Sequence, residues 1–463
     1  MAPERLSALD ASFLDVETAS AHMHVGWAAA FDPPDEGRAP SFEGLRDHIS
    51  RRLYRAPRYR QRLAGVPFGL SRPVWVDDDA FDLCHHVRRA PAGDLRELAG
   101  TVLSTPLARD WPLWEMWIAD ELDDGRIGVV GKAHHCMVDG IAAVELAALL
   151  LDPQPDPPPD EPDGWLPRPA PGPATRLLEG VVDRAAGQLS LVGTAARLAT
   201  SPSRLASGAQ SAARALLSSL APASPVGALN QPISPYRALF TLSRRLDELR
   251  AIKRAHDCTV NDVVLAVACG GVRRYLERRG EEPGWLKAMV PVNVRSGGVQ
   301  GELGNRISFI FLDLPCHEPE PSRRLRDIAD ATSEAKQAGE PAGATTVLDL
   351  AAAAPSPIQR AMSRLVASPR TFNVVVSNIP GPQEPLWMLG CRLREAFPVV
   401  PLADRHALSI GFTSVAGGAF FGVYADRDAV SDAECLAGDI GHELDELAGR
   451  VPLRPREEAA PVA

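Results

Sequence analysis

The chain has 463 residues, of which 45% are hydrophobic and 23% are charged, the composition of a globular protein with a large buried core. Its net charge of −10 argues against nucleic acid as the main partner, because phosphate binding requires a dense basic surface. No apolar run reaches the roughly eighteen residues of a membrane-spanning helix, and the first residues lack the apolar core of a secretory signal. The seven cysteines are scattered without a CxxC pair, so we expect a reducing cytoplasm and neither a disulfide framework nor a structural zinc site.

The first third of the chain alternates extended and helical patterns. Period-two alternation predicts strands, and apolar residues at helical spacing predict helices. Strands are expected over residues 22–31, 113–122 and 126–135, the last two joined into a hairpin by an Asp-Gly turn, and helices over 41–53, 94–107 and 139–151. Two adjacent histidines, His134 and His135, end the second strand of that hairpin, and Asp139 lies at the start of the helix that follows.

The composition changes after Leu151. Residues 152–173 are rich in proline, which removes backbone donors and fixes φ, so we predict a linker there. Residues 174–220 show helical spacing, with apolar side chains on one face and a net charge of +3. Two interpretations of this segment stay open: a helical hairpin packed on the core, or an interfacial element on an anionic lipid surface.

The second half again mixes strands and helices, which predicts a second lobe of similar mass. Thr259 is a good N-cap for a long helix, Gly280 can end that helix, and Gly417-Gly418 fits the tip of a hairpin. Extended segments are expected over residues 236–243, 285–295, 305–315, 372–382 and 407–427, and helices over 244–256, 259–280, 321–339, 345–366 and 431–450. The predicted architecture is α/β, with one lobe over 1–151, a linker with amphipathic helices over 152–228 and a second lobe over 229–463.

The histidine pair allows three interpretations. A zinc site needs three or four ligands, but neighbouring side chains on a strand point to opposite faces and no further ligand motif accompanies the pair. A structural pair is the second interpretation, and His85-His86 is taken as an example. The third is a general base, because a neutral imidazole titrates close to neutral pH and can take a proton from a hydroxyl. The position at a strand end favours the general base, with only one of the two rings facing the site.

Several motifs stand in a characteristic order. The histidines begin the pattern HHxxxDG at residues 134–140, and the other motifs are LSALDASFLDVE at 6–17, HMHVG at 22–26, RDWPLWEMW at 109–117, TVNDVVLA at 259–266, VPVNVR at 290–295 and NVVVSNIPGP at 373–382. Together they resemble the bacterial wax ester synthase/acyl-CoA:diacylglycerol acyltransferase family of the CoA-dependent acyltransferases. The resemblance extends from Leu6 to about Leu447, with Asn293 where the family usually has Ser. It implies two chloramphenicol-acetyltransferase-like lobes.

The resemblance also implies roles for individual residues. His135 is the general base, His134 supports it, and Asp139 is structural. Asn261 either donates a hydrogen bond to an oxyanion or satisfies backbone groups in the first turn of its helix. Cys136 is not expected to be a nucleophile, because it points away from the base on an extended segment. Further residues are expected at the substrate site: Gly140, Pro112, Leu113, Trp114, Asp262, Ser377 and Asn378. For Pro112–Trp114, burial in the core is the alternative.

The implied reaction moves a long-chain acyl group from acyl-CoA, a co-substrate, to the hydroxyl of diacylglycerol or a long-chain alcohol, with no bound cofactor or metal. Because such acceptors partition into lipid, we expect a cytoplasmic enzyme that is peripheral on the inner membrane face or on lipid droplets. Two alternatives remain at this point: a condensation-type acyltransferase that uses carrier-protein thioesters, and a non-catalytic lipid-binding protein.

Overall fold

The computed structural model describes residues 4–34, 39–137, 150–158, 160, 164–182, 222–293, 307–338 and 356–449. The strands are β1 (His24–Asp32), β2 (Gln61–Ala64), β3 (Val74–Asp77), β4 (Val87–Arg89), β5 (Trp114–Ala119), β6 (Ile127–His134), β7 (Arg237–Arg245), β8 (Trp285–Asn293), β9 (Ile307–Pro315), β10 (Val374–Pro380), β11 (Trp387–Met388), β12 (Cys391–Val399), β13 (Leu408–Val415) and β14 (Gly418–Asp426). The helices are α1 (Ala8–Val16), α2 (Phe42–Arg52), α3 (Leu83–His86), α4 (Leu95–Ser104), α5 (residues 173–182), α6 (Leu246–His256), α7 (Val260–Arg278), α8 (Pro321–Gln337), α9 (Ser356–Val366) and α10 (Glu434–Gly449).

Two six-stranded sheets form the centres of two lobes. The first sheet has the order β11-β12-β1-β6-β5-β4, and the second has the order β7-β14-β13-β10-β8-β9. The first sheet holds the predicted hairpin of β5 and β6, in which Trp114 lies opposite Ala133. The predicted mixed α/β fold with two sheet-rich lobes is therefore confirmed.

The second half of the chain contributes two strands, β11 and β12, to the first sheet. Within the range assigned to the second lobe, 229–463, β12 pairs antiparallel with β1 and places Pro398 opposite Trp27. The same strand lies close to the second sheet, where a Cβ on Gly422 would come 2.1 Å from the carbonyl oxygen of Pro398. Glycine is therefore required for this close approach of the two sheets.

The hairpin of β13 and β14 turns one residue earlier than predicted. Ala416 and Gly417 have φ of +48° and +80°, and Gly418 pairs with Val415. Two successive positive φ values match the turn that joins twisted antiparallel strands in a tight hairpin. The prediction of a hairpin is confirmed, but its tip is Ala416-Gly417.

The proline-rich segment is fastened to the first lobe at several points. Residues 164–172 form neither helix nor strand, in agreement with their proline content. Near the start of the segment, the buried guanidinium of Arg52 contacts Asp152 at 2.8 Å and Asp160 at 2.7 Å. These ion pairs hold the predicted linker against α2, so this part of it is not a free tether.

Helix α5 is the described beginning of the predicted amphipathic region, whose residues 183–220 lie outside the described residues. A Cβ on Gly180 would come 3.0 Å from the Cβ of Ser71, so α5 packs closely on the segment before β3. Three of its apolar side chains nevertheless remain exposed: Leu178, Val181 and Val182. In the described part of the chain, no helix is long and apolar enough to cross a bilayer.

Helix α7 has clear sequence signals at both of its ends. Thr259 and Asp262 form a reciprocal capping box at its start, and Gly280 follows its end with φ of +72°. Farther along, Gly270 lies against an ion pair between Arg324 of α8 and Glu443 of α10. Both charged side chains are almost fully buried, at 1% and 3% exposure, and Glu443 also pairs with Arg274 of α7 at 2.6 Å. Glu443 is therefore the carboxylate that compensates the buried Arg324 charge.

We predict that Glu443→Ala lowers the free energy of unfolding by about 3–5 kcal/mol, because it leaves the buried Arg324 charge without its partner. Glu446→Ala is the matched control. It also removes a carboxylate of α10 that pairs with Arg274 of α7, but Glu446 is 31% exposed, so the free energy of unfolding should fall by only about 0–1 kcal/mol. Urea unfolding followed by circular dichroism measures both. Equal losses in the two variants would contradict this assignment.

The first sheet also buries a histidine without a hydrogen-bond partner among the described residues, and this predicts a pH dependence of stability. His24 is 2% exposed, and neither ring nitrogen has a hydrogen-bond partner among the described residues. Burial and, second, the nearby Lys132 hold the pKa of His24 well below that of an ordinary histidine. The unfolded chain therefore takes up a proton below about pH 6.5 that the folded protein does not, so stability falls as the pH falls below that value.

We predict that His24→Leu reduces this loss. One histidine contributes up to about 1.4 kcal/mol per pH unit below its unfolded pKa. The difference in unfolding free energy between about pH 7.5 and 5.5 should accordingly be smaller in the variant, as measured by urea unfolding. An unchanged difference would show that His24 is protonated in the folded protein.

Candidate active site

Both motif histidines lie at the end of strand β6, in different surroundings. His134 is its last residue, opposite His24 on β1, and its backbone N–H donates to the carbonyl of Leu113 at 2.9 Å. His135 begins the turn, and its backbone N–H donates to the carbonyl of Met23 at 2.9 Å. The His134 ring is buried and the His135 ring is half-buried, so the two rings face different environments.

His134 has a fixed ring orientation. Its Nδ1 accepts a hydrogen bond from the backbone N–H of Cys136 at 3.1 Å, so the proton of the neutral ring belongs on Nε2. Nε2 lies 3.7 Å from the Oε1 atom of Glu17, which also forms an ion pair with Arg109. Burial and, second, the charge of Arg109 hold the pKa of His134 well below that of an ordinary histidine. His134 is therefore neutral near neutral pH and suits support of the loop.

His135 stacks on an aromatic ring of the N-terminal helix. Its ring centroid lies 3.8 Å from that of Phe13, and the two planes are inclined by 6°. One face of the imidazole is thus covered, and its plane is fixed relative to α1. A half-buried ring held in this way can exchange a proton with a bound molecule.

Sequence reasoning missed the part that α1 plays at this site. The motif at residues 6–17 carried the family resemblance, but no role was predicted for Phe13 or Glu17. Their spacing of four residues was the available signal, because such positions lie on the same side of a helix. The partners of this side of the helix, His134 and His135, were not predictable from spacing alone.

The segment Pro112–Trp114 belongs to the core rather than to an exposed substrate wall. Leu113 and Trp114 are fully buried, and the indole N–H of Trp114 donates to the carbonyl of Tyr59 at 2.8 Å. Pro112 is also buried, at the start of β5. The contribution of this segment to the site is the Leu113 carbonyl that holds the backbone of His134. The burial of these three side chains fits the core alternative for the segment, and substrate contact by them stays a prediction.

Cys136 is unsuited to be a nucleophile. Its side chain is 2% exposed, and burial raises the pKa of the thiol far above its usual value. Since the thiolate is the reactive form, this cysteine is inert in the folded protein. The observation agrees with the prediction that no acyl group passes through Cys136.

The second lobe brings two of the predicted residues together. The side-chain amide of Asn378, on β10, donates to the Oδ1 atom of Asn261, near the start of α7, at 3.4 Å. With Oδ1 of Asn261 engaged, its Nδ2 group is the donor that can turn to a ligand. The TVNDVV and SNIPGP motifs therefore meet in space, which the sequence did not show.

Asp262 and Ser377, both predicted at the substrate site, are buried in the second lobe. The carboxylate of Asp262 is 3% exposed and accepts hydrogen bonds from Thr259 on Oδ2 and from Thr332 on Oδ1, both at 2.7 Å. It holds the first turn of α7 and anchors it to α8. Ser377 precedes Asn378 on β10, and alternation on a strand turns the two side chains to opposite faces. Ser377 therefore cannot share the Asn261 side with its neighbour.

Two predicted residues, Asp139 and Gly140, lie outside the described residues. Among the described residues, no three His, Cys, Asp or Glu side chains are arranged to hold a metal ion.

Comparison with known proteins agrees with this geometry. The family model of the wax ester synthase/diacylglycerol acyltransferase catalytic domain matches residues 6–264, and that of the WS/DGAT C-terminal domain matches residues 303–448. A probable diacylglycerol O-acyltransferase of Mycobacterium tuberculosis is 34% identical over 450 residues, with 94% of each chain covered. A putative diacylglycerol O-acyltransferase of Mycobacterium bovis gives the same values.

Solved structures support the same assignment. The wax ester synthase/diacylglycerol acyltransferase of Marinobacter aquaeolei VT8 superposes with a TM-score of 0.69 and 28% identity, covering 96% of this chain and 100% of that one. The first condensation domain of the CDA synthetase has a TM-score of 0.56 and 16% identity, covering 96% and 95%, which shows a shared fold. The chain belongs to the wax ester synthase/diacylglycerol acyltransferase family.

Proposed function

We propose that His135 is the general base with which this acyltransferase moves a long-chain acyl group from acyl-CoA to the hydroxyl of diacylglycerol. The observation that carries the proposal is the half-buried His135 ring, held between β6 and α1 beside a buried, neutral His134. A long-chain alcohol presents the same hydroxyl on an apolar body and is the second acceptor. The relatives named as diacylglycerol O-acyltransferases favour diacylglycerol as the first.

The proposed reaction is a direct transfer. His135 takes the proton of the acceptor hydroxyl as its oxygen attacks the thioester carbonyl, and a tetrahedral intermediate forms. The C–S bond then breaks, the ester remains, and the imidazolium returns its proton to the CoA thiolate. The inert thiol of Cys136 leaves this route without a competing acyl-enzyme in the same motif.

Asn261 is the proposed oxyanion donor. The negative oxygen of the tetrahedral intermediate is stabilised by fixed donors that need no rearrangement during the reaction. The hydrogen bond from Asn378 to Oδ1 fixes the side chain of Asn261 and leaves its Nδ2 group as the donor. Asp139 keeps its proposed structural role, with Gly140 beside it in the same motif.

Carrier-protein thioesters are the less favoured donors. The condensation domains are at most 16% identical to this chain, and at that identity the likeness extends to the fold alone and not to the substrates. Both family models, by contrast, belong to the wax ester synthase/diacylglycerol acyltransferase group. A role limited to lipid binding would leave the arrangement of His134, His135 and Glu17 without a use.

We further propose that α5 docks the enzyme on a lipid surface. Close to the contact of α5 with the segment before β3, Phe68 is 89% exposed and has φ of +60°. The exposed side chains of α5 lie on the helix that packs on this segment. Exposed apolar groups of this kind bury themselves in the interface of a bilayer or a lipid droplet, where the acceptor resides.

We predict that His135→Ala lowers the turnover of palmitoyl-CoA with dioleoylglycerol by roughly 10²–10⁴-fold, the contribution typical of a general base. Product formation is measured by chromatography of radiolabelled lipid. His442→Ala, which alters an exposed histidine on α10, is the control and should retain full activity. Full activity in His135→Ala would refute the proposed base.

We predict that the double variant Leu178→Asp/Val182→Asp binds anionic vesicles at least about tenfold more weakly, because it loses apolar burial worth more than 1.4 kcal/mol. Vesicle co-sedimentation measures the partition. Trp285→Asp makes the same kind of change at another exposed apolar residue and should leave binding unaltered. Deletion of 174–220 should abolish binding but preserve activity on short, soluble acceptors, and binding that survives it would refute the docking proposal.

A further inference from the structure

We propose that α1 is a positioning helix for the reaction: Phe13 and Glu17 hold the two motif histidines from one side of the helix, and Phe13 stabilises the imidazolium that forms on His135. The inference rests on the proposed role of His135 as the base. It concerns a segment about 120 residues away in sequence, whose recorded contacts with the motif are the Phe13–His135 stack and the approach of Glu17 to His134.

The two contacts come from adjacent turns of the same element. Phe13 lies within α1, and Glu17 is the residue that ends it. Side chains four residues apart on a helix are neighbours, so the His135 stack and the His134 contact have one common support. Any shift of α1 would move both histidines' partners together.

Glu17 lies beside the supporting histidine. The Nδ1 atom of His134 accepts from the backbone N–H of Cys136, which places the proton of the neutral ring on Nε2. Nε2 has no hydrogen-bond partner among the described residues, and it lies 3.7 Å from Oε1 of Glu17. The ion pair with Arg109 holds Glu17 in this position, so the carboxylate attracts the Nε2–H side of the ring at longer range than a hydrogen bond.

Phe13 acts on the charge of the base. A neutral imidazole gains little from a phenyl face, whereas an imidazolium is attracted by the negative face of the ring. The stack at 3.8 Å therefore binds the protonated His135 of the transition state more strongly than the resting ring. An interaction that strengthens in the transition state raises kcat rather than lowering KM.

Helix α1 is itself held at both ends. The side chain of Ser7 caps its start by accepting from the backbone N–H of Asp10 at 3.0 Å. Near its end, the guanidinium of Arg364, on α9 in the second half of the chain, donates to the carbonyl of Asp15 at 3.4 Å. The support of the histidines thus includes a contact with an element from the second half of the chain.

The test compares kcat and KM for palmitoyl-CoA and dioleoylglycerol in four α1 variants of the full chain. Phe13→Leu should lower kcat by roughly 2- to 30-fold, with KM changed less than about twofold, because cation–π attraction is worth about 0.5–2 kcal/mol. Phe13→Tyr keeps an aromatic face and should stay within about twofold of the native kcat. Ser12→Ala, on the same helix without a contact to either histidine, is the control for helix stability.

Glu17→Gln is the fourth variant, and it should lower kcat at least about threefold without a matching rise in KM, because the amide keeps an acceptor but loses the pairing with Arg109. Native kcat in both Phe13→Leu and Glu17→Gln would overturn the inference, and so would equal losses in Phe13→Leu and Phe13→Tyr. Either result leaves the role of His135 standing if His135→Ala is inactive, so the two proposals fail separately.

Discussion

The antiparallel pairing of β6 with β1 is the constraint on which the site depends. It ends at His134, which still lies opposite His24, while the next backbone N–H already bonds to Met23 beyond the register. Side chains alternate along a strand, so a slip of one residue would exchange the buried and the half-buried positions of the two histidines. The hydrogen bond to the carbonyl of Leu113, the residue just before β5, secures the same register from the other side.

Because of this register, two chemically identical side chains lie in different surroundings. His134 loses its charge to burial and becomes a rigid part of the lobe, with its ring nitrogens directed to Cys136 and Glu17. His135 keeps an exposed part and a stacking partner on α1. In the second lobe, two polar amides, Asn261 and Asn378, are joined by a hydrogen bond at 3.4 Å. Both lobes are tied together by β12, which crosses to the first sheet.

Local patterns predicted most of the elements, because alternation, caps and turn residues act over a few positions. The hairpin ending in His134 and the capped helix α7 are examples. The family motifs predicted roles for His135, just after the hairpin, and for Asn261, in the first turn of α7. Contacts between distant segments were not predictable in the same way. The apolar pattern of β12 shows that it needs a partner but not that the partner is β1, and Phe13 became significant only through its ring contact with His135.

Burial shows structural contacts of motif residues that the motifs alone did not indicate. Asp262 and Trp114 lie in motifs, from which substrate contact was predicted. In the structure, the Asp262 carboxylate bonds to Thr332 and the Trp114 indole bonds to Tyr59, so both side chains hold the elements that carry the motifs.

Direct transfer by His135, without a covalent intermediate, is the central claim, and the intact mass of the protein tests it most directly. The purified chain is incubated with palmitoyl-CoA in the absence of an acceptor, quenched in acid and measured by mass spectrometry. The account predicts an unmodified mass, because Cys136 is buried and protonated and the base does not carry the acyl group. A stoichiometric increase by one palmitoyl group, lost on addition of dioleoylglycerol, would contradict it.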